Sequence, residues 1–121
     1  MSKIMAVDDA RVIRDLVKVT LERSGHEVVT FENGALALAW ARDNEVDLVI
    51  TDHHMPGIKG TELVGELRNI QHLKGIPIVM LTTETKDDVK SMAKRSGASA
   101  WVIKPITPEA LMEGVQRLLG K

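Results

Sequence analysis

Five short apolar runs punctuate the chain, and four of them stop on a polar residue. Residues 4–7 run into Asp8 and Asp9, 48–51 into Asp52, 78–81 into Thr82 and Thr83, and 101–103 into Lys104 and Pro105. The fully apolar character of 48–50 and 78–81 suits strands buried on both faces, as a parallel sheet requires. Between the runs the period changes. Ile13, Leu16, Val17, Thr20 and Leu21 follow helical spacing, and Gly25 supplies a stop. A strand is predicted over 26–31, a short helix through Leu36, Leu38 and Trp40, a strand over 46–52, and a helix whose face carries Leu63, Leu67 and Ile70. Pro77 opens the fourth strand, where a missing ladder donor costs least. Residues 85–88 have the form of a capping box, with Gly97 able to close the helix they begin. Thr107 and Pro108 read as a cap and first helical residue ahead of Leu111, Val115 and Leu118. Five strand-then-helix units result, an α/β pattern with a doubly wound sheet.

In such a sheet the carboxyl ends of the strands share one edge, where ligand sites lie. If strand three lies beside strand one and strands four and five continue outward, Asp9 and Asp52 sit on neighbouring tips about 4.8 Å apart, close enough to share a small cation. Thr82 lies one strand away. Lys104 lies two strands out, roughly 10 Å, a gap that suits a long flexible cation. Crowded carboxylates raise a pKa unless a counter-charge is present, and Mg²⁺ takes a few carboxylates while keeping positions for phosphate oxygens. Phosphoryl transfer needs positioning and charge neutralisation, with Asp52 as nucleophile. Taken singly, each residue has a plainer role: Asp8 and Asp9 as a helix cap, Thr82 as a turn residue, Lys104 as a solvated strand end. Their joint placement at one edge favours the site.

Composition narrows the classes. The chain has 121 residues, enough for one well-buried core, with 44% hydrophobic and 27% charged residues. A formal charge of -1 gives no overall footprint for nucleic acid. Zero cysteines remove disulfides and thiolate metal sites. No apolar stretch approaches a membrane span, so a cytoplasmic protein without membrane insertion is expected.

Val7-Asp8-Asp9, Thr51-Asp52, Met55-Pro56-Gly57 with Gly60, Leu81-Thr82, Gly97-Ala98 and Lys104-Pro105 together resemble the receiver domains of two-component response regulators, over essentially the whole chain. The resemblance implies a single receiver domain over 1–121, of the flavodoxin/CheY-like (βα)5 fold with strand order 2-1-3-4-5. It implies that Asp52 accepts a phosphoryl group from the phosphohistidine of a sensor histidine kinase or a histidine phosphotransfer protein. Asp8, Asp9, Asp52 and the backbone carbonyl of His54 would hold Mg²⁺; Thr82 and Lys104 would contact the phosphoryl group, and the Lys104-Pro105 peptide would be cis. It further implies a regulatory phosphoacceptor rather than an enzyme, with at most self-phosphorylation from small donors and self-dephosphorylation. The output would be a chemotaxis-like change in partner binding through a face built from the fourth helix, fifth strand and fifth helix, in a stand-alone monomer. Trp101 occupies the family's aromatic switch position, where its larger, hydroxyl-free ring either turns inward on activation or packs against the fourth helix. His53-His54 as a metal pair is the sharper but less favoured reading of those residues.

Competing classes fit less well. A haloacid-dehalogenase-type phosphatase requires a second acid two residues past its nucleophile, and position 54 is histidine. A flavodoxin-like phosphate site is opposed by acids after strand one. A phosphorelay intermediate passing its phosphoryl group to a histidine phosphotransfer protein, and a phosphorylation-independent adaptor, share the fold and stay open.

Overall fold

A computed structural model describes residues 2–83, 91 and 96–120. Its strands are β1 (Lys3–Val7), β2 (Glu27–Phe31), β3 (Leu48–Asp52), β4 (Ile78–Thr82) and β5 (Ala100–Ile103). They form one parallel sheet in the order β2-β1-β3-β4-β5, the doubly wound topology the resemblance implies. The described helices are α1 (Arg11–Arg23), α2 (Gly34–Ala41), α3 (Gly60–Arg68) and α4 (Pro108–Leu118). The expected cap at 85–88 and most of the helix it opens lie outside the described residues.

The strand starts differ slightly from expectation. β2 begins at Glu27, β3 at Leu48 and β4 at Ile78, not at 26, 46 and 77, while β1 and β5 begin one residue ahead of their apolar runs, at Lys3 and Ala100. Before β3, Asp47 trades bonds with the first residue of β1. Its amide donates to the Lys3 carbonyl at 2.7 Å and its carboxylate accepts from the Lys3 amide at 2.8 Å, while Val46 remains buried. The last helix follows its cap: Thr107 accepts from the Ala110 amide at 3.2 Å, with Pro108 in the first turn.

Alternation along the strands splits the core in two. Met5, Val7, Val49, Ile78 and Met80 face one side and pack with residues of α2 and α3, including Leu38 and Leu63. Ile4, Ala6, Ile50, Val79 and Leu81 face the other and pack with α1 and α4 residues such as Leu21 and Leu111. Every residue of β3 and β4 is buried. β3 is therefore held on both faces and both edges, and its last residue, Asp52, emerges at a fixed place.

At the opposite edge of the sheet one side chain ties three segments together. Arg68, ending α3, donates to the carbonyls of Ile76 at 2.6 Å, Lys74 at 3.0 Å and Gly97 at 2.9 Å. Its planar fork reaches both the approach to β4 and the chain leading into β5, a task beyond a lysine's point charge.

Candidate phosphoacceptor site

The register sets the site's geometry. Asp52 pairs with Leu81, and Thr82 with Ile103. Thr82 thus stands one strand over and one residue beyond Asp52, and Lys104 two strands over and two residues beyond the level of Asp52. Lys104 closes that gap by its length: its ammonium lies 3.0 Å from Asp52 Oδ1 and 3.3 Å from Asp8 Oδ2. Its own backbone is fixed by the Lys104 amide donating to the Thr82 carbonyl at 2.8 Å, and the Lys104-Pro105 peptide is cis.

Asp8, Asp9 and Asp52 each offer an oxygen, and these oxygens all lie within 4.8 Å of one another. Asp8 and Asp52 are buried and Asp9 is exposed, so the cluster has a closed floor and an open side. Asp8 also serves the backbone. It accepts from the Ala10 amide at 2.9 Å ahead of α1, whose cap residue is Ala10 itself, and its carbonyl accepts from Arg14 at 2.8 Å. The local role and the site role coexist in one residue.

Charge crowding displaces both Asp8 and Lys104 from their ordinary ranges. Burial holds the Asp8 carboxyl above its ordinary range, and the Asp52 charge pushes the same way, against the Ala10 amide and Lys104. Burial works to lower the Lys104 ammonium, but its bond to Asp52 and the charges of Asp8 and Asp52 prevail and raise it. A hard-oxygen donor set with one open side and surplus negative charge fits a divalent cation such as Mg²⁺.

Thr82 is fully buried at the end of β4. Its parity matters. Thr82 and Met80 share the sheet face on which Met80 packs with α2 and α3, and Trp101, paired with Met80, lies half-buried against that same cluster. The α4 helix packs on the opposite face. The packing alternative for Trp101 against the expected fourth helix falls on residues outside those described.

His53 and His54 follow Asp52 directly. His53 is buried and His54 exposed, their rings meet edge-on at 4.5 Å, and the candidate metal group among the described residues contains neither. Gly60 was legible as part of a motif but not for its reason: a Cβ there would meet the Asp52 carbonyl oxygen and, at 2.7 Å, His53 Cα. The Gly60 amide donates to the His53 carbonyl at 2.9 Å, so α3 starts directly on the backbone that follows Asp52. Residues that sequence reasoning passed over include Arg14 and Arg68, whose spacing to their carbonyl partners carries no periodic signal, and Glu32 and Asn33 beside the site.

Comparison with known proteins places this geometry. Residues 4–116 match the family described as the response regulator receiver domain. A chemotaxis protein CheY homolog of Campylobacter jejuni is 37% identical over 120 residues, covering 98% of this chain and 92% of that protein. Protein PilH of Pseudomonas aeruginosa is 32% identical, with 99% of each chain covered. Among solved structures, the chemotaxis response regulator CheY4 of Vibrio cholerae superposes with a TM-score of 0.93 at 42% identity, covering 98% of both chains.

Proposed function

The chain belongs to the response regulator receiver domain family of two-component signalling, CheY-like in type, and from that premise we propose that Asp52 is a phosphoacceptor whose modification changes partner binding. The observation that carries the proposal is the meeting of three carboxylate oxygens within 4.8 Å with the Lys104 ammonium 3.0 Å from Asp52.

An Asp52 oxygen attacks the phosphorus of a phosphohistidine on a sensor kinase or histidine phosphotransfer protein. The new O–P bond forms as the N–P bond breaks, and the imidazole leaves to take up a proton. Asp8, Asp9, Asp52 and the His54 carbonyl would hold Mg²⁺, which when bound supplies positive charge to the equatorial phosphoryl oxygens. Lys104 neutralises a further part of that charge from just past β5, two strands over. Burial of Asp52 restricts water at its carboxylate, and the Lys104 ammonium fixes the position of Oδ1.

The phosphoryl group adds roughly 1.5 to 2 negative charges and new acceptor oxygens at neutral pH. The Thr82 hydroxyl, one strand away, and Lys104 turn to it. Displacement at Thr82 passes to Trp101 on the same sheet face, and so to the output surface at the β5 edge. There a groove of ≈340 Å³ runs between Trp101, Val102, Ala110, Gly114 and Arg117. A protein target reads this surface, in a chain that acts in the cytoplasm. Among the described residues no helix is long and apolar enough to cross a membrane.

Incubation with Mg²⁺ and acetyl phosphate tests the acceptor role. Intact mass spectrometry should show one phosphoryl adduct that Asp52→Ala or EDTA removes. Absence of an adduct from both the small donor and a histidine kinase defeats the proposal in favour of the phosphorylation-independent adaptor.

A further inference from the structure

We propose that the cavity between the start of α2 and the β3–α3 loop receives one lysine or arginine side chain of a partner protein that meets the phosphoacceptor edge. The inference rests on the phosphoacceptor reading for the claim that a partner comes to this edge; its chemistry rests on the cavity alone. The cavity measures ≈510 Å³, within the range of sites that hold small groups. Asp9 and Glu32 line its polar side, and Ala35, Pro56 and Ile58 its apolar side, with no lysine or arginine among its lining residues.

Two carboxylates and a greasy wall select a particular occupant. An anion is repelled, and a wholly apolar group would strip water from Glu32 without replacing it. A long side chain with an aliphatic stem and a cationic head satisfies both walls at once. The amino end of α2 opposes this with about half a positive charge, already engaged by Asn33, whose side chain accepts from the Leu36 amide at 2.9 Å. The full negative charge of Glu32 outweighs it even when Asp9 is shared with a metal ion.

The neighbouring helix argues that the donor of this cation is a protein. From Gly34 to Ala41, α2 carries no polar side chain, although 27% of the whole sequence is charged. Ala35 and Ala39 are exposed, and Leu36 is 49% exposed. A surface helix that is apolar on its solvent side calls for a covering partner. Gly34 is buried, and a Cβ there would stand 3.2 Å from Ile58 Cβ, so the glycine lets Ile58 close against the helix and shape the cavity wall. The apolar strip leads into the cavity, and the cavity reaches Asp9 of the acid cluster. A partner helix lying on α2 would therefore present its lysine or arginine beside the acceptor.

The test uses n-butylguanidinium as a stand-in for the side chain, titrated into ¹⁵N-labelled protein with Mg²⁺ present, so that the bare acid cluster is already occupied. Saturable amide shifts confined to residues 32–36 and 56–58 are expected, with n-butanol producing none. Glu32→Gln, which removes the charged partner, should weaken the binding about tenfold, and Ala35→Leu, which fills the cavity, should abolish it. Absence of saturable shifts, equal shifts from n-butanol, or binding unaltered in both variants overturns the proposal. Acetyl phosphate labelling of the same wild-type sample keeps the two readings apart. A missing adduct defeats the phosphoacceptor role, while the cation site is judged by the shifts alone.

Discussion

At the scale of the residue, Asp8 and Lys104 show how a charge cluster is held together at a cost. Asp8 keeps its proton to higher pH in the folded chain than in the unfolded one, where 3.8 is the ordinary value. The folded state then binds the extra proton, so stability falls as the pH climbs from that value through the raised one. Lys104 works from the other side. Its raised pKa contributes stability that is complete below 10.5 and lost as the pH rises through its folded value. In EDTA, therefore, the wild type should lose stability relative to Asp8→Asn as the pH climbs above 3.8. Urea midpoints along that climb measure it; parallel curves for the two proteins would remove the crowding argument.

At the scale of the element, the contrast between two glycines of α3 is diagnostic. Gly60→Ala drives a methyl group into the backbone of Asp52 and His53 and should cost about 1–3 kcal/mol. Gly65→Ala, on the exposed side of the same helix with nothing within 4 Å, should instead stabilise by about 0.5–1 kcal/mol. Urea denaturation of both variants decides it, since a change of the same sign in each would mean that helix propensity, not the approach to Asp52, governs position 60. The same helix shows where sequence reading succeeds and stops. Leu63 and Leu67 announce a buried face through their spacing and both are fully buried, whereas Ile70, expected on the same face, lies past the helix end at Arg68. Strand ends at Asp52, Thr82 and Lys104 were legible because period-two burial and polar termination are local signals. Arg68 was not, because its carbonyl partners come from loops 5 to 29 residues away, which no local pattern encodes. The cavity walls at Glu32 and Ile58 were hidden for the same reason: two loops distant in sequence meet only once the sheet is ordered.

At the scale of the molecule, the sheet sorts its layers by parity. Thr82 and Trp101 share the face of α2 and α3, whereas α4 covers the other. Acetyl phosphate labelling of a Trp40→Phe variant, which leaves Trp101 as the sole indole, should therefore shift the emission of Trp101. An unchanged spectrum from a sample shown by mass to be labelled would mean that the ring stays packed. The pairing of β4 with β5 carries a further consequence. Slipping β5 by a single residue would turn Trp101 to the α4 side and, in the same stroke, withdraw Lys104 from Asp52. On the proposed reading the phosphoryl contact and the relay are counted off on one ruler, so that a misaligned chain would lose both together and fall silent instead of signalling without cause.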